Sequence, residues 1–198
     1  MQQPPYPPAQ PRRRGPSALV IVLIVFAVLA VLAIPVIAVV AALLLPAFSQ
    51  AREAAWRSAC QRNVMQISQA LSMYAMDWEQ TLPPQDAWAE LPAKYGVAEA
   101  LHRCPATGAA AATGSRDYTF NAWLDALSYR DIARPSVAVL LFEADSSPAD
   151  GMNPSSTRED SFTPRHSRSG GPVGVISYAD GHVSSAPTLP PLTQGIAD

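Results

Sequence analysis

The chain has 198 residues, a formal net charge of −2 and only 15% charged residues. Because it has no surplus of basic residues to neutralise phosphates, we do not expect it to bind nucleic acid. The roughly 150 residues that follow its apolar segment are enough for one domain with one modest core.

The first seventeen residues (1–17) are rich in proline and arginine and have no apolar periodicity. This composition predicts a disordered tail, extended where the prolines cluster. A proline-rich ligand for a partner domain is the alternative interpretation.

Residues 18–45 form an unbroken run of 28 apolar residues. At about 1.5 Å per residue such a helix spans about 42 Å, more than the roughly 30 Å of a bilayer's hydrocarbon core. We therefore predict a transmembrane helix over 18–46, with the lipid bilayer as its partner. A cleaved signal peptide is the alternative, but its apolar part typically has only about 7–15 residues.

Charges on either side of this segment indicate the orientation of the chain. Three arginines, 12–14, precede the apolar run, whereas Arg52 and Arg57 follow it together with Glu53. The positive-inside rule then predicts a cytoplasmic N-terminus and an exported domain over 47–186.

After the apolar run, the sequence continues as an amphipathic helix. Six residues follow each other at steps of four and three, which places them on one helix face: Cys60, Val64, Ile67, Leu71, Tyr74 and Trp78. We expect this face to pack on the chain's own sheet, with a seam between subunits as the alternative. The helix should end near Thr81, ahead of Pro83 and Pro84.

The remainder of the chain predicts an α+β domain. A short helix or loop is expected over 85–101, and a mobile connection follows over 102–116. Strands are predicted at 117–123, 136–143 and 173–179, with 182–186 pairing back on the third across a two-residue turn at Asp180-Gly181. Residues 187–198 are predicted to be a flexible tail.

The chain has two cysteines, Cys60 and Cys104. Disulfides persist outside the cytoplasm, so an exported domain favours a bond between them, and free buried thiols are the alternative. Such a bond would close a loop of about 45 residues and stabilise the domain by about 4 kcal/mol on the chain-entropy model.

Two groups of side chains are candidates for ligand binding. The first group is a possible metal or acid–base site formed by Asp180 with the three histidines, His102, His166 and His182. In the alternative interpretation, Asp180 only makes the turn and His166 forms a hydrogen bond with a loop. Four acids lie in an oxygen-rich loop that is a candidate calcium site or simply a solvated acidic loop: Asp145, Asp150, Glu159 and Asp160. We expect no resident metal or other cofactor and no enzymatic activity; an anchored hydrolase using His166, Asp180 and a serine is a minor alternative.

Several segments, in their order, resemble the bacterial prepilin-like proteins named for a His-to-Asp-Gly motif, relatives of type IV pilins and type II secretion pseudopilins. The matching segments lie within 41–183 and read AALLLPAFSQAREAAWRSACQRNVMQISQALSMYAMDWEQTLPP, HRCP, YTFNAWL, PSVAVLLFEAD and RHS…SYADGHV. The resemblance implies a pilin-like fold, in which a long N-terminal helix, half in the membrane, packs on a small antiparallel sheet. It also matches His166, Asp180 and Gly181 to the family signature and Cys60 and Cys104 to its two cysteines.

The sequence departs from the family pattern in two places. Thirteen residues separate His166 from Asp180, where the family usually has nine. In the family, the cleavage site commonly ends in Gly followed by Phe, and glutamate occupies the fifth mature position; here Pro16 follows Gly15 and the fifth position is Val20. In pilins that glutamate is thought to meet the N-terminal amine of a neighbouring subunit within the membrane, where a buried carboxylate needs such a partner.

These observations lead to two hypotheses for the function. The first is a pilin-like structural or interaction protein of the bacterial inner membrane, a minor pseudopilin-type component that works with other pilin-like subunits or secretion machinery. The alternative is a stand-alone anchored domain that binds calcium or an envelope polymer and does not form filaments.

Overall fold

The structure is a computed structural model, and it describes residues 17–108, 116–145 and 154–197. The chain divides into two compact units, Met1–Phe48 and Ser49–Asp198. This division lies two residues beyond the predicted boundary between the transmembrane helix and the domain. Of the predicted N-terminal tail, only Ser17 lies within the described residues.

The first unit consists, in its described part, of the beginning of helix α1 (Ala18–Asp77). Its apolar side chains are exposed, and Pro35 and Pro46 lie inside the helix without ending it. Within the described chain, α1 is the one helix that is long and apolar enough to cross a membrane. The predicted apolar helix is therefore confirmed, and its properties fit a membrane anchor or an N-terminal signal sequence.

The second unit contains a mixed sheet of six strands. The strands are β1 (Tyr118–Asn121), β2 (Val139–Glu143), β3 (Ser155–Ser156), β4 (His166–Arg168), β5 (Gly171–Tyr178) and β6 (Val183–Ala186). Their order is β3-β1-β2-β5-β4, and β6 also pairs with β5. The α+β class is confirmed, but the expectation of a purely antiparallel sheet is wrong, because β1 and β3 are parallel.

Strand β2 lies in the middle of the sheet, between β1 and β5. All five of its residues are buried, as expected for an apolar strand covered on both faces. Its last residue, Glu143, is a carboxylate with no solvent exposure. The central strand thus carries a charged group into the interior, and the neighbouring elements must supply its partners.

The second half of α1 packs into the core of the sheet domain. Cys60, Val64, Ile67 and Leu71 are buried with residues of the strands, which confirms a core face for this part of the stripe. Tyr74 is only half-buried, and the expectation is wrong for Trp78, which is 60% exposed. Trp78 still stacks on Tyr74, with ring centroids 5.7 Å apart, so it keeps the direction of the stripe but lies beyond the part that the core covers.

Helix α1 ends at Asp77, four residues before the predicted end at Thr81. Glu79 and Gln80 have φ angles of 53° and 62°, and the Gln80 N–H donates to the carbonyl of Ala75 (2.8 Å). A left-handed pair of residues therefore terminates the helix. It directs Thr81 into a bridge with Ser128, so tertiary pairing ends the helix before the prolines do.

The hairpin between β5 and β6 has a three-residue loop and not the predicted two-residue turn. The backbone N–H of Tyr178 donates to the carbonyl of His182 (3.0 Å), and the Gly181 N–H donates to the carbonyl of Tyr178 (2.9 Å). Only Gly181 has a positive φ, 89°. This is a turn followed by a left-handed glycine, the usual three-residue connection.

Two segments predicted to be mobile each contain residues that are buried in the domain. In the tail, Leu192 is completely buried, and the Asn121 amide donates to its carbonyl (2.8 Å). In the connection, Arg116 is buried and donates to the carbonyl of Ala89 (3.1 Å), while residues 109–115 lie outside the described chain. The flexibility of 187–198 remains a prediction, while the burial of Leu192 shows that at least this residue of the segment packs in the domain.

Candidate functional site

A buried histidine lies between two glutamates beneath α1. His166 is the first residue of β4 and is 1% exposed. Its Nε2 lies 3.0 Å from Oε1 of Glu143, and its Nδ1 lies 3.2 Å from Oε1 of Glu53. One imidazole ring thereby connects helix α1 to the centre of the sheet.

Both carboxylates also accept backbone hydrogen bonds. The second oxygen of Glu143 accepts the Val175 N–H (2.9 Å), and Glu53 accepts the Ser167 N–H (3.0 Å). A buried carboxylate is tolerated when such donors replace its hydration. Each ring nitrogen of His166 thus has one carboxylate oxygen within hydrogen-bond distance.

The predicted disulfide bond between Cys60 and Cys104 is present in the structure and borders this histidine. The Sγ atom of Cys104 lies 3.4 Å from Nε2 of His166. Ligand-type atoms of Cys60, Cys104, Glu143 and His166 all lie within 4.8 Å of one another, and all four residues are buried. No other group of three or more His, Cys, Asp or Glu side chains is clustered in this way in the described parts of the chain.

A buried ion pair stands beside the disulfide. Arg165 donates to Asp117 (2.7 Å), and both side chains are less than 10% exposed. The other oxygen of Asp117 accepts the Cys104 N–H (2.7 Å) and the Thr107 hydroxyl (3.0 Å), and Arg165 also donates to the carbonyl of Ala144 (2.8 Å). The pair therefore holds the segment around Cys104 against the start of β1 and the end of β2.

The residues of the His-to-Asp-Gly motif do not form one site. His166 pairs with Val173 near the start of β5, whereas Asp180 follows the end of that strand at Tyr178. At about 3.3 Å per residue, the positions of Val173 and Tyr178 are about 16 Å apart. A catalytic arrangement of His166, Asp180 and a serine therefore has no support in this geometry.

Asp180 and His182 form a separate pair on the exposed turn. Oδ1 of Asp180 lies 2.6 Å from Nδ1 of His182 and also accepts the His182 N–H (3.1 Å). The ring of His182 stacks on Tyr178, with ring centroids 4.2 Å apart. Partial burial alone would raise the pKa of Asp180, but the hydrogen bonds from His182 outweigh it and lower that pKa. This pair stabilises the turn, as one of the two sequence interpretations expects.

The third histidine, His102, is buried against Trp88, with ring centroids 5.8 Å apart. Burial, and secondarily the nearby charge of Arg116, lowers the pKa of His102 to about 4. The ring is therefore neutral at pH 7, and it belongs to the core and not to a site shared with His166 or His182.

The calcium candidates are described for three of the four acids, because Asp150 lies outside the described residues. Asp145 accepts a hydrogen bond from Arg165 (2.9 Å), and Asp160 forms a bidentate ion pair with Arg158. Glu159 accepts the Leu192 N–H (3.0 Å). Each described acid thus has a different partner, and the geometry does not group them around a cation.

An open cleft of about 620 Å³ lies next to Glu53. Its lining includes the arginines Arg52, Arg57 and Arg168, and Arg57 donates to the carbonyl of Ser167 (3.2 Å). The cleft gives solvent access to the Glu53 side of the buried cluster, while Glu143 is shielded on the far side.

Sequence reasoning identified His166 and both cysteines but missed Glu53, Glu143, Asp117 and Arg165. Glu143 did carry a signal, since it ends an otherwise apolar strand predicted to be buried. The partners of Glu53 lie more than 100 positions away along the chain, so no local pattern indicates them. Comparisons with protein-family models, with curated proteins and with solved structures find no match to this chain.

Proposed function

We propose that the protein is a membrane-anchored, pilin-like structural or interaction protein, a minor pseudopilin-type component of a secretion or pilus-like system. In this proposal α1 starts in the bacterial inner membrane, the N-terminus is cytoplasmic and the sheet domain is exported. Its partners are the lipid bilayer and other pilin-like subunits or secretion machinery.

The observation that carries the proposal is the composition of α1. A single helix begins with exposed apolar residues and ends with residues that form the core of the sheet domain. A membrane segment and a folded domain that share one helix suit a subunit whose position in an assembly is fixed by its anchor. The contact of Glu53 with His166 attaches this helix to the sheet, and the disulfide bond attaches it to the segment around Cys104.

A structural role also agrees with how the buried polar groups are used. Both ring nitrogens of His166 face carboxylates, and the two oxygens of Glu143 have separate donors. Groups that are engaged in this way stabilise the fold and are poorly placed for acid–base catalysis, which needs a ring nitrogen within reach of a substrate. We therefore propose a non-enzymatic function.

The test is mass spectrometry of the N-terminus of protein extracted from membranes of the native host, combined with chemical crosslinking in intact cells. Processing after Gly15 together with crosslinks to pilin-like subunits is the expected result. An intact Met1 and no crosslink to any pilin-like or secretion component would contradict the proposal.

A stand-alone anchored domain is the second candidate, and one observation favours it. The fifth residue after Gly15 is Val20, and no acidic residue occurs between Gly15 and Leu45. If the usual assembly depends on a carboxylate at that position, this chain lacks the group that would receive a neighbouring amine. Replacing Val20 by Glu should then increase crosslinking to pilin-like subunits if assembly is limited by this position, and leave it unchanged if the domain stands alone.

A further inference from the structure

We propose that the reduced form of the protein binds one zinc ion through Cys60, Cys104, His166 and Glu143. In the structure the two cysteines are joined as a disulfide bond, so the site exists only after that bond is reduced. The inference goes beyond the proposed function and does not depend on whether the protein assembles.

The donor set is appropriate for zinc. Thiolate sulfur, imidazole nitrogen and carboxylate oxygen are the three ligand types that zinc uses in proteins, usually as a tetrahedron of four. Two soft sulfurs favour zinc over calcium or magnesium, which prefer oxygen ligands alone. All four side chains are at most 1% exposed, so a bound ion would have a closed, water-poor shell typical of a structural site.

The distances between the donors are also appropriate. Zinc lies about 2.3 Å from sulfur and about 2.0–2.2 Å from nitrogen or oxygen, so the ligand atoms of a tetrahedron are about 3.3–3.8 Å apart. The Cys104 Sγ to His166 Nε2 distance is 3.4 Å, and the His166 Nε2 to Glu143 Oε1 distance is 3.0 Å. With all four donors within 4.8 Å of one another, small side-chain movements are enough to surround an ion once the sulfurs separate.

The surroundings of His166 supply an independent argument. Histidine ligands of zinc commonly donate their second ring N–H to a carboxylate, which fixes the ring and the tautomer. Here Nδ1 of His166 faces Oε1 of Glu53 at 3.2 Å, and Nε2 faces the sulfur and the carboxylate that would be its fellow ligands. The orienting carboxylate is therefore already in place on α1.

The chemical steps balance with a dithiol as reductant. The dithiol gives two electrons and two protons and closes to its own disulfide, the bond between Cys60 and Cys104 breaks, and each sulfur gains a proton. Zinc binding then releases both thiol protons to solvent, and Nε2 of His166 gives up any proton that it carries before it coordinates. The reverse step uses the oxidised dithiol, which takes two electrons from the two thiolates and two protons from solvent; the bond between Cys60 and Cys104 re-forms, and the ion is released.

The experiment uses the full-length chain in detergent, reduced with a phosphine that is removed before cobalt(II) is added as a spectroscopic probe. We expect one cobalt ion per reduced chain, with the visible bands of tetrahedral cobalt and a sulfur-to-cobalt charge-transfer band, all removed by one equivalent of zinc. The oxidised protein should show none of these bands.

Three variants test the histidine ligand and the carboxylate that orients it. His166→Gln should weaken cobalt binding by at least about tenfold, and Glu53→Gln, which leaves all four ligands in place, should weaken it by about 10–100-fold. The matched control is His182→Gln, because His182 also contacts a carboxylate but lies on the exposed turn; its binding should equal that of the unchanged protein.

Several results would overturn the proposal. One is a folded, reduced protein that shows no cobalt bands. Another is a His166→Gln variant whose bands are identical to those of the unchanged protein. A third is a His182→Gln variant that loses as much cobalt binding as His166→Gln. If the reduced protein without metal loses its near-ultraviolet circular dichroism, zinc should restore that signal and raise the melting temperature. A reduced protein that stays unfolded in zinc would contradict the site as well.

Discussion

Oε1 of Glu53 on α1 lies 3.2 Å from Nδ1 of His166 and 3.0 Å from the backbone nitrogen of Ser167, both on β4. One oxygen of the helix thus meets two consecutive residues of an edge strand. The Glu53 side chain is 22% exposed, so these contacts are partly shielded from water and from salt. They attach α1 to the sheet about two turns before Cys60, whose disulfide bond joins the same helix to Cys104.

Replacing Glu53 by Ala should lower the free energy of unfolding by about 1–3 kcal/mol, because it leaves a buried ring nitrogen and a backbone N–H without their acceptor. The measurement is urea unfolding of the full-length chain in detergent, followed by near-ultraviolet circular dichroism. Asp86→Ala, which removes an exposed carboxylate, is the control and should change this free energy by less than about 0.5 kcal/mol. Equal effects of the two substitutions would show that the contact with His166 is unimportant for stability.

Removal of the disulfide bond should have the largest effect on stability. The bond joins residues 44 positions apart, so the double substitution Cys60→Ser with Cys104→Ser should cost about 4 kcal/mol on the chain-entropy model. The same urea experiment measures this cost. A reducing agent should destabilise the unchanged protein in the absence of metal but leave the double variant unaffected, and destabilisation of both would point to an effect of the reagent itself.

Stability should fall as the pH is lowered from about 6.5 to about 4. The pKa of His102 is lowered to about 4 in the folded protein, mainly by burial, whereas in the unfolded chain it has its ordinary value near 6.5. Between these values the unfolded state binds the proton and the folded state does not, so the contribution is fully present above pH 6.5 and is lost toward pH 4. Its size is about 3 kcal/mol.

Urea unfolding at several pH values tests this dependence. His102→Phe removes the titrating group and keeps an aromatic ring in the core, so the loss of stability over this range should become smaller. His182→Gln, at the exposed turn, should retain most of the loss. An unchanged pH profile in His102→Phe would assign the effect to other groups.

The turn at Gly181 offers a comparison of two glycines. Gly181 has a φ of 89°, and a Cβ there would meet no atom within 4 Å, so Gly181→Ala should cost about 1–2 kcal/mol from backbone conformation alone. Gly170 also has free space around a Cβ but no positive φ, and Gly170→Ala should change stability by less than about 0.5 kcal/mol. The melting temperatures of the two variants give the comparison, and equal shifts would contradict the role of the left-handed conformation.

Local patterns were sufficient to predict α1, β1, β2, β5 and β6. The apolar run of 28 residues, the spacing of Cys60, Val64, Ile67 and Leu71, and the apolar segment that ends in Glu143 each have a period or composition that identifies an element. Strands β3 and β4 have only two and three residues, and they form because they pair with longer strands. Nothing in Ser155–Ser156 or His166–Arg168 alone indicates a strand.

The candidate site illustrates the same limit. His166 and the two cysteines were identified from the sequence, but the two glutamates were not, because Glu53 and His166 are 113 positions apart and meet only through tertiary packing. The described part of the C-terminal segment was predicted to be flexible from its prolines, yet Leu192 fills an apolar space beside Val139 and Ile176. Composition indicates low helix and strand propensity, but it does not indicate whether a segment is packed.

The most direct test of the membrane-anchored account uses full-length protein made in a bacterial host. The account predicts that it stays in the membrane fraction after washing with alkaline carbonate, that an externally added protease digests the 49–198 domain in spheroplasts, and that a thiol reagent labels neither cysteine before reduction. A water-soluble monomer, obtained without detergent and with both thiols free, would contradict the anchor, the export of the domain and the disulfide bond.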